Sequence, residues 1–291
     1  MSVAVQPCLS EFRERPFVDA DRIAAAAVRA LREEAKLTPK PGLVDQRGPG
    51  AHDDMDVELL LRSAEALRES LTACASAATA LPVGRELRVQ LGVVGRAGER
   101  AMLSATGGVN THRGALWALG LLAAGAAQGA GATEIARIAG RLAQIPDLQA
   151  AGDRAPSHGE RARFRYGSLG ARGEAGAGFP HVLSIGLPTL RAGRDRGCEE
   201  LDGRRDALLA IMASLDDTCL LHRGGAAGLA LVQREAGAIL AEGGAGTARG
   251  RARIDRLDET MRRARLSPGG SGDLLAATLF LDDLDDSGDR A

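Results

Sequence analysis

Apolar residues along this chain return every three or four positions, as at Ile23, Ala27, Ala30 and Leu31 and again at Leu208, Ile211, Met212 and Leu215. That period marks amphipathic helices, while the β-branched and aromatic runs that would indicate strands are scarce. The pattern predicts a helix over residues 19–36, stopped by Thr38-Pro39 and Pro41-Gly42. A second helix is expected over 53–71, opened by Asp53, Asp54 and Asp56, with Asp53 as its cap. Further helices are expected over 87–103 (interrupted near Gly92 and Gly95), 132–144, 201–221, 229–240, 251–264 and 273–281. Residues 147–159 read as an exposed loop. Arg161, Arg163 and Arg165 alternate with Ala162, Phe164 and Tyr166, which suits a short strand or a basic helical turn.

Residues 114–133 carry no charge. On count alone the run spans a bilayer, but it is mostly Ala and Gly and abuts a polar stretch, so a buried central helix is predicted. The expected architecture is all-α: a single-domain, multi-helix bundle around that helix. Residues 1–18 form an N-terminal extension, 19–281 the helical domain and 282–291 a solvated acidic tail with Asp282, Asp283, Asp285, Asp286 and Asp289.

Composition narrows the partners. A formal net charge of −1 argues against a polyanion, and with five Phe, Trp117 and Tyr166 as the aromatic set there is little to stack unpaired bases, so nucleic acid is not expected. Cys8, Cys74, Cys198 and Cys219 lack metal-ligand spacing and fit a reducing compartment. Glu11, Arg13, Glu14 and Arg15 interrupt any secretory leader, which together with the absence of an expected membrane span points to the cytoplasm.

Six polar islands break the helical pattern: Thr-Pro-Lys-Pro-Gly-Leu-Val-Asp (38–45), Gly-Ala-His-Asp-Asp-Met (50–55), Thr-Gly-Gly-Val-Asn-Thr-His-Arg-Gly (106–114), Gly-Ala-Arg-Gly-Glu (170–174), Asp-Asp-Thr with Arg-Gly-Gly (216–225), and Ser-Pro-Gly-Gly-Ser-Gly-Asp (267–273). Most precede a helix, where backbone N–H groups and the helix dipole favour anions. Lys40, His112, Arg113, Arg172 and Arg223 place cations in these turns, suited to phosphate oxygens. Asp45, Asp54, Glu99, Glu174, Asp217 and Asp273 place carboxylates in or beside them, and carboxylates next to phosphate-binding groups commonly hold Mg²⁺. The combination points to a nucleoside triphosphate. Taken singly, each island also reads as ordinary loop chemistry, His112 as a packing histidine and Glu174 as an ion-pair partner of Arg172. The common nucleotide and zinc motifs are absent.

In order and spacing the islands resemble the triphosphoribosyl-dephospho-coenzyme A synthase family, over roughly residues 30–281. Asp-Thr-Cys-Leu-Leu-His-Arg (217–223), Ser-His-Gly (157–159), Arg-Tyr-Gly (165–167) and the run 113–122 resemble its malonate decarboxylase branch more than its citrate lyase branch. Cys219 stands where the latter tends to have Asn, Arg113 replaces a Lys, and Asp53 sits where a Lys can occur. The resemblance implies transfer of the triphosphoribosyl group of ATP, with Mg²⁺, to the 2′-hydroxyl of 3′-dephospho-coenzyme A, releasing adenine. A separate transferase would then load an acyl carrier protein Ser. Residue chemistry within these motifs gives Glu174 or Asp217 as base and Asp45, Asp54 and Glu99 as ligands of Mg²⁺ directly or through water, with the carboxylates able to exchange roles. Lys40, His52, Asn110, His112, Arg113, Arg172, Arg223 and the turn of Ser267, Gly269, Gly270 and Ser271 would bind substrate. Rival readings are the citrate lyase branch, a hydrolase cleaving ATP's glycosidic bond onto water, and a nucleotide sensor without turnover.

Overall fold

Asp19 opens the first helix, its Oδ1 accepting the Asp21 N–H at 2.9 Å, in the computed structural model, which describes residues 19–147, 161 and 164–288. Helix α1 (Ala20–Lys36) buries Ile23, Ala27, Ala30 and Leu31 as the spacing requires, and the prolines at 39 and 41 end it. The second helix starts later than expected: Asp56, not Asp53, caps α2 (Val57–Ala66), accepting the Leu59 N–H at 2.7 Å. Asp53 is exposed and pairs with Arg265 at 2.8 Å. A cap must reach the third N–H of its own helix, so register decides among three neighbouring acids.

Helices α3 (Arg68–Ala80) and α4 (Arg85–Ala105) come next, and α4 runs unbroken through Gly92 and Gly95. Helix α5 (Arg113–Ala126) is the central one: Leu116, Leu119, Leu121 and Leu122 are all buried, and the helix packs against α3, α4 and α6 (Ala132–Gln144). Burial on every side is what an uncharged Ala, Gly and Leu sequence calls for, and each buried Leu contributes about 1.5–3 kcal/mol. No helix among the described residues is long and apolar enough to cross a membrane.

The second half comprises α7 (Gly170–Gly176), a π-helical turn (Val182–Gly186) continuing into α8 (Leu187–Asp195), α9 (Glu200–Ser214), α10 (Thr218–Ala241), α11 (Ala248–Arg263) and α12 (Gly269–Gly288). The helix expected over 201–221 is therefore two, split at residues 215–217. Arg161 and residues 164–166 are helical. The expected loop from 148 on, Ser157 to Gly159, Ala162, Arg163, the extension 1–18 and Asp289 lie outside the described residues. Among the described residues there are no strands, and an isolated bridge joins Asp45 to Gly48.

Helix α12 passes Leu281, where the last helix was expected to stop, because the acids beyond it have partners. Asp282 is buried against Arg194 (2.6 Å) and Arg191 (3.4 Å), Asp283 meets Arg29 (2.6 Å), and Asp285 caps α6 at the Ala132 N–H (2.9 Å). Cys74, Cys198 and Cys219 are free thiols.

Candidate functional site

The loop after α1 turns inward on its lysine. Lys40 is 1% exposed, and its Nζ donates to the Glu34 carbonyl and to Glu34 Oε1, both at 2.6 Å. Its N–H donates to Asp45 Oδ2 at 2.9 Å, and Asp45 also accepts the Arg47 N–H (2.8 Å) and guanidinium (3.1 Å). Asp45 thus closes this loop. His112 is buried beside the lysine: its Nδ1 bonds Ser63 Oγ at 2.8 Å, its Nε2 has no hydrogen-bond partner, and burial followed by the Lys40 charge brings its pKa down to about 4.

Three helix N-termini meet next to this loop. Asp217, 1% exposed, caps α10, with Oδ1 accepting the Cys219 N–H (2.8 Å) and the Leu220 N–H (3.4 Å). Its Oδ2 accepts the Ser271 N–H (2.8 Å) and hydroxyl (2.9 Å), tying the start of α10 to the start of α12. Burial pushes the Asp217 carboxyl above its ordinary range, and these donors pull it back. Asp273, on the first turns of α12 and partly exposed, lies against the start of α5 at Gly114. Its carboxyl lies well above the ordinary range through burial and then the charges of Asp217 and Glu34. Gly114 permits this contact, because a β-carbon there would overlap Asp273 Oδ2. A β-carbon on Gly270 would lie 3.2 Å from the Asp217 carboxylate, and one on Gly272 3.2 Å from Glu34 Oε1. Glu34, Asp217 and Asp273 therefore surround the first turn of α12.

A rim of polar groups adjoins this centre. Arg223 donates to the Ala51 and Arg265 carbonyls and to His52 Nδ1, each at 3.2 Å. Since a guanidinium only donates, His52 Nδ1 is the acceptor and its Nε2–H donates to Ser267 Oγ at 2.9 Å. Burial and then Arg223 lower the His52 pKa, keeping the ring neutral for that role. Gly225, at φ +60°, breaks α10 just past Arg223. Asp54 is exposed, 3.8 Å from His52 Nδ1.

Five islands thus gather directly, and the sixth adjoins them through Ser168, whose hydroxyl donates to the Asp216 carbonyl at 3.1 Å, and through Gly170 beside Thr218. Several candidates have other partners. Glu174 faces His181, taking its N–H at 2.8 Å and its Nδ1 at 2.7 Å, and that bond raises the His181 pKa. Arg172 lies 5.9 Å from the Trp117 ring centre instead of pairing with Glu174. Glu99 and Arg113 form an ion pair with each other, and Asn110 Oδ1 accepts the Arg113 N–H at 3.3 Å. The Ser267 and Ser271 hydroxyls are bonded within the protein, and Gly269 packs near Cys219.

The expected metal trio of Asp45, Asp54 and Glu99 is not brought together, and no cluster of three or more His, Cys, Asp or Glu side chains suited to a metal ion occurs among the described residues. Magnesium, however, asks for one or two protein oxygens when a nucleotide supplies the rest, and the exposed carboxylate of Asp54 fits that mode. Glu34, Asp273, His181 and Trp117 went unassigned. Asp273 had a signal in its Gly-rich island, whereas Glu34 sits in the last turn of α1, outside every island.

Known proteins resemble the chain over nearly its whole length. The family model described as ATP:dephospho-CoA triphosphoribosyl transferase matches residues 20–290. A probable 2-(5''-triphosphoribosyl)-3'-dephosphocoenzyme-A synthase of Azotobacter vinelandii is 51% identical over 91% of this chain and 92% of its own length. One of Pseudomonas putida is 52% identical over 90% and 94%. The 2-(5''-triphosphoribosyl)-3'-dephosphocoenzyme-A synthase of Klebsiella pneumoniae is 49% identical over 89% and 93%. No solved structure matches the chain.

Proposed function

The chain belongs to the ATP:dephospho-CoA triphosphoribosyl transferase family, and from that premise we propose that it moves the triphosphoribosyl group of ATP onto the 2′-hydroxyl of 3′-dephospho-coenzyme A, with release of adenine. The observation that carries this reading is the junction of α5, α10 and α12, where Asp217 and Asp273 hold three helix starts around one point.

Substitution at the anomeric carbon needs a proton acceptor for the attacking hydroxyl and negative charge near the oxocarbenium-like sugar. Asp273 takes the first role. It is partly exposed and stands at the junction beside Gly114, whereas the carboxylate of Asp217 is buried and occupied. Asp217, saturated by four donors, positions the helix starts, and Glu174 orients His181. Lys40 and His112 act from below by fixing Glu34 and the start of α5. Arg113 and Arg223, with Asn110 and His52, grip the triphosphate at the rim. Magnesium accompanying ATP would be held by Asp54 and would neutralise phosphate charge. Exclusion of water from the sugar keeps transfer ahead of hydrolysis.

The malonate decarboxylase carrier protein is the proposed destination, through a downstream transferase, supported by the run 217–223 and the run 113–122. The same product would also serve citrate lyase, and charging each carrier in turn separates the two. The cytoplasm is the proposed location, consistent with free thiols. The decisive test incubates the protein with ATP, Mg²⁺ and dephospho-coenzyme A while following adenine and the mass of the conjugate. Acceptor-dependent adenine is expected. Adenine formed without acceptor identifies a hydrolase, and ATP binding without adenine a sensor.

A further inference from the structure

One turn along α5 from the junction lies a second cationic feature. Arg88 on α4 is 3% exposed, and its Nε is buried without a hydrogen-bond partner. Its guanidinium stands 5.3 Å from the Trp117 ring centre and 3.6 Å from Asp147 Oδ2, a carboxylate that also takes Arg96 at 2.9 Å. The exposed Arg172 on α7 reaches the same indole at 5.9 Å, and Trp117 Nε1 donates to the Ala171 carbonyl at 3.2 Å. Arg88 and Arg172 line a cleft of about 360 Å³ whose remaining walls include Ile145, Pro146 and Leu169. Burial, then repulsion by Arg172 and Arg96, work against the Arg88 charge, while Asp147 favours it. Two guanidiniums thus share a cleft that Gln144 and Asp147 also line, and the Asp147 carboxylate is already divided between Arg88 and Arg96. A buried donor without a partner costs about 1–3 kcal/mol, and an anion lying between the two guanidiniums would relieve both the orphan and the repulsion.

We propose that this cleft, between Arg88, Arg172 and the Trp117 ring, binds the diphosphate of the acceptor nucleotide, with its apolar walls receiving the start of the pantetheine arm. The inference rests on the transferase reading above and deepens it. In dephospho-coenzyme A the diphosphate hangs from the same ribose that carries the reacting hydroxyl, so the two must sit close together. Trp117 lies three residues beyond Gly114, about 4.5 Å along a helix axis, and Gly114 is where Asp273 touches α5. The triphosphate of ATP has the same chemistry. The apolar part of the lining, Ile145, Pro146 and Leu169, favours the acceptor.

Trp117 is the single tryptophan of the chain, so the protein's tryptophan fluorescence comes from the ring beside Arg88 and Arg172. Titration of the full chain with dephospho-coenzyme A, and separately with inorganic pyrophosphate, should change its emission saturably. Arg172→Ala, at an exposed position, should raise the KM and Kd for dephospho-coenzyme A about tenfold or more and leave the KM for ATP unmoved. Wild-type adenine release with flat Trp117 emission on adding the acceptor would overturn this inference and leave the transferase reading standing. A rise confined to the KM for ATP would overturn it in favour of the triphosphate. Acceptor-independent adenine would sink the transferase reading instead, and pyrophosphate binding would then still report on the cleft.

Discussion

Gly114→Ala separates the proposed catalytic geometry from fold stability. Position 114 lies in the first turn of α5, where Ala is intrinsically better than Gly by about 0.5–1 kcal/mol. The new methyl would enter the space of Asp273 Oδ2, the end of a side chain that can swing away, so no backbone has to move. That swing gives up the polar contact of Asp273 with the start of α5, a loss of about 0.5–1.5 kcal/mol. The two changes nearly cancel, and at about 2–4 °C per kcal/mol the melting temperature should stay within a few degrees of wild type. Activity should not. Displacing a reacting group by about 1 Å typically costs about 10²-fold, so kcat for adenine release should fall by that order while ATP still binds. Asp273→Asn should fall at least as far, and the double variant should be no slower than Asp273→Asn alone, because the methyl then displaces a group that no longer takes a proton. Wild-type kcat in Gly114→Ala, at unchanged melting temperature, would refute the role given to Asp273.

Three further outcomes rest on the same contacts. The His112 pKa of about 4, against 6.5 for the free group, means the unfolded chain takes up this proton first; its stabilisation is complete above pH 6.5 and declines toward pH 4 by about 1.4 kcal/mol per unit. Urea unfolding of His112→Gln should show a flatter acid limb than wild type between those values, and identical slopes would contradict the burial argument. Ser271→Ala removes one of two donors to Asp217 Oδ2 and should cost about 1 kcal/mol, whereas in an Asp217→Ala background it should cost almost nothing; strictly additive losses would mean the link between α10 and α12 is not energetic. His181 has a raised pKa owed first to Glu174, so its contribution is present below the unfolded value and lost as pH rises through the folded one. Glu174→Gln should therefore lower the melting temperature more at pH 6 than at pH 9, and an equal drop at both would show that the pair contributes nothing through charge.

The helices were legible because burial imposes a period on any amphipathic segment, and α5 because a segment apolar all round must be central. Breaks were harder. Apolar spacing carries on through residues 201–221, so the split at 215–217 shows only in Asp217, whose carboxylate caps α10. Chemistry was legible by residue type and opaque by partner. Glu99 and Arg113 were each assigned to substrate-related roles and are each other's ion pair; Lys40 finds Glu34 only once the loop has folded back onto α1. Trp117 reads as core until Arg88 and Arg172 are seen against it. The Gly-rich islands do mark helix starts with N–H groups to spare, which is why they suggested anion sites. At these starts the chain supplies the anion itself: Asp217 serves α10 and α12, and Asp273 serves α5. On the proposed reading, substrate phosphates are met by guanidiniums outside the junction, while the carboxylates inside it stand where a sugar carbon would acquire positive charge. A grouping that holds acid side chains in its centre and arginines around its edge would separate phosphate binding from glycosyl chemistry within one site, and the proposed reaction needs that separation if the triphosphate is to stay intact while the bond to adenine breaks.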